Sequence, residues 1–294
     1  MGHFDYLAPK TLAEALGALQ DRGSGAAVLA GGTDLLVQLK QRKRDLSCLI
    51  SVGSLPELKG IRKTPDGMLS VGAATPLGEI VSAAGLSREA ACLAEAARKV
   101  GSSQVRNLAT LGGNLCNAAP SADTAPVLLV MEAGARIAGP GKERVVPLEH
   151  FFTGPGATVL QPGEILVAVE IPQAPAGFAA SYIKHSVRRA MDIAFVGVAA
   201  LMVPGADGAG AARVRIGLGA VSPTPMRARK AEAALEGQPF SVELAARAGE
   251  IAATECSPIT DLRASAEYRR EMVAVLTRRA LVAAWESAQG GAAR

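Results

Sequence analysis

Two segments of this sequence place a pair of glycines close to a threonine: residues 31–33 read Gly-Gly-Thr and residues 110–113 read Thr-Leu-Gly-Gly. Glycine reaches positive φ without strain, and a ligand can approach it closely because it has no Cβ. Consecutive backbone N–H groups in such turns form a concave site for an anion. The first pair lies between a predicted strand and a predicted helix, whose dipole would add to that site. Together the two segments predict a cradle for the two phosphates of a dinucleotide.

The alternative for each segment is that the glycines form only a turn, which is their most frequent role. Neither segment reads GxGxxG, and GxxxxGK[ST] is absent from the sequence. Rossmann and P-loop sites are therefore not supported by their own signatures. The repeated layout of the two segments favours a ligand site.

Hydrophobic patterning predicts alternating strands and helices in the first 55 residues. The residues 11–14 (Thr-Leu-Ala-Glu) form a capping box that starts a helix, and residues 34–40 start another. Strands are predicted at 26–30 and 46–52, giving a β-α-β-α-β unit. Further along, the pattern predicts a hairpin at 60–73, helices at 76–84, 88–100 and 124–133, a loop at 107–123, and strands at 136–147 and 164–171.

Residues 172–177, Pro-Gln-Ala-Pro-Ala-Gly, form the strongest linker signal. Beyond it, strands are predicted at 193–203 and 213–221, followed by helices at 228–235, 242–254 and 266–287. Strands followed by helices indicate an α+β terminal domain. We therefore expect a first domain at 1–175, with subdomains at about 1–56 and 57–175, and a second domain at 178–288.

Composition excludes several classes of function. The chain has 294 residues, 49% of them hydrophobic and 3% aromatic, with a net charge of +4. Few aromatics and dispersed basic residues do not favour nucleic-acid binding, and no apolar run approaches the ~20 residues of a membrane span. The four cysteines are scattered and the three histidines lie far apart, so no metal site is predicted. Without a secretory signal, free thiols in the cytoplasm are expected.

The densest basic run, residues 40–44, ends a predicted helix. A solvated face is the favoured interpretation, because cations are common at helix C-termini. Contact with an acidic partner subunit is the alternative.

The segments AGGTDLL and TLGGNLCNAAPSADTAPVLL resemble the signature of the FAD-binding medium subunit of molybdenum hydroxylases, such as carbon monoxide dehydrogenase and bacterial xanthine dehydrogenase. EILVAVEIP, DIAFVGVAA, GLGAVSPTPMRA and YRREMVAVLTRRAL extend the resemblance over nearly the whole chain. The resemblance implies an α+β protein: an FAD domain of the vanillyl-alcohol-oxidase type in two α/β subdomains, followed by the C-terminal domain of these flavoproteins.

The resemblance also implies cofactor contacts. Residues 28–35 would hold the pyrophosphate from one side, with the Thr33 hydroxyl as a donor, and residues 110–114 from the other. Asp123 would accept a hydrogen bond from the ribose or adenine end, and Lys184 would approach the isoalloxazine. The implied cofactor-binding residues are Val28, Leu29, Ala30, Gly31, Gly32, Thr33, Asp34, Leu35, Val100, Thr110, Leu111, Gly112, Gly113, Asn114, Asp123, Leu166, Lys184, Asp192 and Ile193.

Two of these residues have simpler interpretations. Asp123 precedes a predicted helix and could be an N-cap. Lys184 could be an ordinary exposed lysine. His185 adjoins Lys184 and could lie near the flavin, but a lone histidine is more often structural.

The implied function is electron transfer within a complex. Electrons would come from [2Fe–2S] clusters on a small subunit, reach FAD in this chain and leave for an external acceptor, while the molybdenum cofactor lies on a large subunit. The expected assembly is a dimer of heterotrimers. The alternatives are a standalone flavin oxidoreductase of the vanillyl-alcohol-oxidase type and a non-catalytic assembly module. The sequence names neither the substrate of the complex nor the electron acceptor.

Overall fold

The computed structural model describes residues 3–206 and 208–291. Its first unit alternates strands with helices: β1 (Asp5–Leu7), α1 (Leu12–Arg22), β2 (Ala26–Leu29), α2 (Leu35–Lys40) and β3 (Cys48–Ser51). The strands are parallel in the order β1-β3-β2, which confirms the predicted β-α-β-α-β unit. At the start of α1, the Thr11 hydroxyl accepts a hydrogen bond from the Glu14 N–H at 3.2 Å, as expected of an N-cap. The Glu14 carboxylate returns to the Lys10 N–H.

An antiparallel sheet forms the second unit, in the order β4-β5-β10-β6-β7. Its strands are β4 (Ile61–Lys63), β5 (Leu69–Gly72), β6 (Gly134–Gly139), β7 (Lys142–Pro147) and β10 (Ile165–Ile171), and the short pair β8 (Phe152–Gly154) and β9 (Ala157–Thr158) lies between β7 and β10 in the chain. The predicted hairpin at 60–73 is present as β4 and β5. The single strand predicted at 136–147 is instead the hairpin β6–β7, because Pro140-Gly141 turns the chain.

Helices occupy the segment between β5 and β6. They are α3 (Leu77–Ser82), α4 (Arg88–Arg98), α5 (Ser103–Leu108), α6 (Leu111–Cys116) and α7 (Thr124–Val130). The loop predicted at 107–123 was wrong, since α6 and the end of α5 lie within it. Glycine and asparagine favour a loop, but Thr110 caps α6 and buried Leu111 and Leu115 hold it against the core.

The third unit is a four-stranded antiparallel sheet with three helices. It consists of β11 (Ala179–His185), β12 (Val196–Pro204), β13 (Ala211–Gly219), β14 (Met226–Arg227), α8 (Arg229–Leu235), α9 (Val242–Glu255) and α10 (Ala266–Gly291). Patterning predicted each of these except β11 and β14. Strand β11 follows the linker and pairs along its whole length with β12.

Strand β12 is buried on both faces, which explains its nearly continuous apolar sequence. Val198 and Met202 pack with α8–α10, whereas Ala199 and Leu201 on the opposite face pack with α7 and the second unit. The third unit therefore shares a core with the second. No helix in the described ranges is long and apolar enough to span a bilayer.

Candidate functional site

A cavity of about 460 Å³ lies between the first and second sheets. This volume is in the usual range of small-molecule sites. The ends of β2 and β3 contribute to one wall, and the ends of β5 and β10 contribute to the other. The described residues that line it are Val28, Leu29, Ala30, Gly31, Gly32, Thr33, Asp34, Leu35, Gln38, Arg44, Val52, Leu58, Ala73, Ala74, Val100, Ala109, Thr110, Gly112, Gly113, Asn114, Cys116, Asn117, Gly156, Leu160, Glu164, Ile165 and Leu166.

The first glycine segment forms an irregular turn between β2 and α2, at the edge of the cavity. Gly32 has φ = +71°, a left-handed conformation that favours glycine. Within the described ranges, the backbone N–H groups of residues 31–34 and the Thr33 hydroxyl have no protein hydrogen-bond partner. Since these residues line the cavity, their donors are free to bind an anionic ligand.

In the second glycine segment, the backbone N–H groups from Leu111 onwards are satisfied within the protein. The N–H of Gly112 donates to the Ala73 carbonyl at 2.8 Å, and the N–H of Gly113 donates to the Thr110 hydroxyl at 3.1 Å. The N–H groups of Leu111 and Asn114 are also paired. The two segments therefore differ: the first leaves its amides free, whereas the amides of residues 111–114 fix the start of α6.

Both segments need glycine for close packing. A Cβ on Gly31 would overlap the carbonyl oxygen of Leu108, two residues before the second segment. A Cβ on Gly112 would lie 2.6 Å from the Cβ of Ala73. The missing side chains thus allow both segments to approach the same cavity, as a dinucleotide cradle requires.

Three charged residues of the described ranges line the cavity. Glu164 is held by Arg144, with Nε–Oε1 and Nη2–Oε2 distances of 3.1 and 2.8 Å, and this pairing lowers the pKa of Glu164. Asp34 forms no ion pair in the described structure, and burial raises its pKa. Arg44 is exposed.

Asp123 and Lys184 form a buried ion pair outside the cavity lining. The Lys184 Nζ donates to Asp123 Oδ2 at 2.8 Å and to the Lys99 carbonyl at 3.0 Å. The Tyr182 hydroxyl donates to Asp123 Oδ1 at 2.7 Å. The side chains of Lys184 and Asp123 are only 9% and 7% exposed. Both simpler interpretations are therefore wrong, because Lys184 is buried and Asp123 makes no side-chain capping bond to α7.

The environment of Asp123 combines opposing effects. Burial raises the pKa of its carboxyl, and this outweighs the lowering by Lys184 and Tyr182. Burial and the neighbouring carboxylate also raise the pKa of Tyr182 well above its ordinary value. Both Asp123 oxygens accept hydrogen bonds from β11, so this carboxylate joins the second and third units.

Of the remaining predicted site residues, Leu111 lies in the core, and Asp192 and Ile193 lie in the segment between β11 and β12. The Asp192 carboxylate accepts a hydrogen bond from the Arg188 N–H at 2.8 Å, which is the largest cause of its lowered pKa. Ile193 is 48% exposed. His185 contacts Tyr268, with 3.1 Å between Nε2 and the hydroxyl. None of these residues lines the cavity, and the cofactor contacts of Asp192 and Ile193 stay predictions.

Patterning missed Gln38, Arg44, Glu164 and Asn117 as members of the cavity wall. Arg44 could have been found from the basic run at residues 40–44, which it ends. The run as a whole, however, indicated a solvated face. The others carry no local pattern that marks a site.

Comparison with known families gives two adjoining matches. Residues 2–174 match the FAD binding domain in molybdopterin dehydrogenase. Residues 181–284 match the CO dehydrogenase flavoprotein C-terminal domain.

Individual relatives are similar over nearly their whole length. The chain is 34% identical to the xanthine dehydrogenase FAD-binding subunit of Escherichia coli O157:H7, covering 95% of each chain. It is 34% identical to the carbon monoxide dehydrogenase medium chain of Hydrogenophaga pseudoflava, covering 96% of this chain and 97% of the relative.

Solved structures show the same fold. A chain of carbon monoxide dehydrogenase from Hydrogenophaga pseudoflava superimposes with a TM-score of 0.93 at 36% identity, covering 97% of this chain and 98% of that one. A chain of quinoline 2-oxidoreductase from Pseudomonas putida 86 gives a TM-score of 0.91 at 31% identity, covering 98% of both.

Proposed function

The chain belongs to the FAD-binding family of molybdopterin dehydrogenases, and we propose that it carries electrons through FAD within a molybdenum-hydroxylase complex. Its full-length relatives are the flavin or medium subunits of such enzymes. In this complex the oxidation of the organic substrate takes place on another chain, and this chain holds the flavin.

One observation carries the proposal: the cavity between the first two sheets is lined by both glycine segments, and the first segment presents unpaired N–H groups. These donors suit the pyrophosphate of a dinucleotide. The apolar residues Val52, Leu58 and Leu166, which line the same cavity, suit its rings.

We assign the roles of the site residues accordingly. The N–H groups of residues 31–34 and the Thr33 hydroxyl bind phosphate oxygens. Leu108 and Ala109 pack against Gly31, and Thr110, Gly112, Gly113 and Asn114 complete the cavity lining. Asp34 accepts a hydrogen bond from a ligand hydroxyl, since its carboxylate has no protein partner in the described ranges.

When bound, FAD supplies a ring that takes single electrons and passes on one or two. Lys184 and Asp123 lie at the junction of the second and third units. We assign Lys184 to the ring end of the cofactor. Asp123, predicted for the ribose or adenine end, has both oxygens engaged by Lys184 and Tyr182, and we assign it to fixing that lysine. There the ion pair fixes β11 against the second unit, so that the protein groups around the ring are held in position.

The partners follow from the same family. Relatives of this chain are medium subunits, and this chain is one subunit of a multi-subunit oxidoreductase. We propose a large molybdenum-cofactor subunit, a small [2Fe–2S] subunit and a dimer of such heterotrimers, working in the cytoplasm. We also propose that the FAD-binding domain ends near residue 175, where the linker leads to β11.

The standalone flavin oxidoreductase is the less favoured alternative. The relatives that match this chain over its whole length are subunits of complexes. A standalone oxidase also needs a substrate pocket beside the flavin, and the aromatic content of 3% offers few rings for one.

Purification of the chain from its source through an affinity tag tests the proposal. We expect two further polypeptides, together with molybdenum and iron measured by elemental analysis. A flavin-loaded chain that purifies alone and oxidises an organic substrate by itself would instead support the standalone oxidase.

A further inference from the structure

With a dinucleotide bound, the cavity would hold more negative charge than its lining residues compensate. A dinucleotide brings negative charge on both phosphates, and Asp34 adds a carboxylate without an ion pair. The other acid on the wall, Glu164, is already paired with Arg144. Among the described residues that line the cavity, Arg44 is the one cation.

Arg44 is separated from the other cations of the basic run by its position. Lys40, Arg42 and Lys43 are exposed and do not line the cavity, whereas Arg44 does. The described structure gives the Arg44 guanidinium no hydrogen bond and no ion pair. This charge is therefore uncommitted within the protein, and Arg44 lines the same cavity as residues 31–34.

We propose that Arg44 binds the pyrophosphate of FAD and supplies the full positive charge that the backbone N–H groups lack. The planar guanidinium donates two parallel hydrogen bonds to phosphate oxygens, a geometry that lysine does not match. Arg44 also offsets the charge of the Asp34 carboxylate in the same cavity. This inference rests on the proposed function, because it takes a dinucleotide as the ligand.

Titration of the flavin-stripped full chain with FAD tests this role. Arg44→Ala should raise the Kd for FAD by about tenfold or more, the expected loss of a charge-assisted hydrogen bond. Lys43→Ala is the matched control, since it removes the same charge from the adjacent exposed position and should change the Kd by about threefold or less. Circular dichroism should show both variants folded, because neither side chain has a protein partner in the described structure.

Two further variants separate charge from stacking. Arg44→Lys keeps the charge but loses the two parallel hydrogen bonds, so its Kd should lie between those of the wild type and Arg44→Ala. Arg44→Gln keeps a planar group without charge and should bind as weakly as Arg44→Ala. The affinity of the wild type should also fall more steeply with salt than that of Arg44→Gln.

Three results would overturn the proposal. Equal weakening by Lys43→Ala would indicate only the general field of the basic run. Full affinity in Arg44→Gln with loss in Arg44→Lys would indicate stacking on a ring. An unchanged Kd in Arg44→Ala would show that Arg44 does not bind the cofactor. Failure of the wild type to bind FAD would contradict the proposed function itself, so the two failures are distinguishable in one titration.

Discussion

At the scale of single residues, the resemblance selected Asp123 and Lys184, but the sequence did not indicate that they pair. They lie 61 positions apart and meet because β11 packs beside the start of α7. No local pattern reports such a contact. The pairing changes their expected role, since each charge is compensated within the protein.

Removal of one partner should therefore be costly. Lys184→Met leaves the Asp123 carboxylate buried without its cation, and we expect a loss of about 3–5 kcal/mol in the free energy of unfolding. The double variant Asp123→Asn with Lys184→Met should recover much of this loss, because no unpaired charge remains. Urea unfolding of the full chain measures both. Additive losses in the double variant would show that the two residues are not coupled.

Asp261 gives a second residue-level expectation, on pH. Partial burial raises the pKa of its carboxyl, but the Arg263 N–H, the Arg269 guanidinium and the Ala264 N–H outweigh this and lower it to about 2. The folded pKa thus lies below the ordinary value of 3.8. The stabilisation is present above about pH 4 and is lost as the pH falls towards 2.

The check is a series of melting temperatures between pH 5 and pH 2. At pH 5, Asp261→Asn should have a lower melting temperature than the wild type. Its melting temperature should also fall less than that of the wild type between pH 5 and pH 2. Asp21→Asn, which changes an exposed acid of α1, is the control and should follow the wild-type curve. An identical acid response in Asp261→Asn and the wild type would contradict this account.

At the scale of elements, the sequence predicted best where apolar residues recur with a clear period. The first parallel unit, α9 and α10 were foreseen because their apolar positions repeat along the chain. Helix α6 was missed, since its two glycines and an asparagine indicate a loop. Its stability comes from the Thr110 cap and from two buried leucines, which are tertiary effects.

The same helix offers a test of the cradle. Gly112→Ala places a Cβ 2.6 Å from the Cβ of Ala73, so α6 must shift away from β5. We expect a loss of about 1–3 kcal/mol in the free energy of unfolding and a lower flavin content. Gly154→Ala is the control, because a Cβ there meets nothing within 4 Å. Flavin content and stability unchanged in Gly112→Ala would show that close packing at α6 is not required.

At the scale of the whole molecule, the glycine segments, the cavity and the full-length family match agree on an FAD site between the first two units. The first two units form the cofactor cavity, and the third unit packs on the second through α7 and β12. The sequence predicted that both glycine segments lie at the site. It did not predict that only the first has free N–H groups, because the pairing of N–H groups depends on the surrounding fold. The four cysteines are all free thiols, and the described residues contain no cluster suited to a metal ion.

The mass of the purified complex tests the proposed dimer of heterotrimers. The purified complex should contain this chain and its two partners in equal numbers, and native mass spectrometry should find two copies of each. A single copy of each subunit would contradict the proposed dimer of heterotrimers and leave the subunit role intact.

The flavin content of the purified chain shows whether the cavity is an FAD site. After incubation with FAD and removal of the excess, the protein is denatured and the released flavin is identified and counted. We expect about one FAD per chain, as a single dinucleotide site requires. Protein that remains colourless after this treatment, or that releases only FMN, would contradict it.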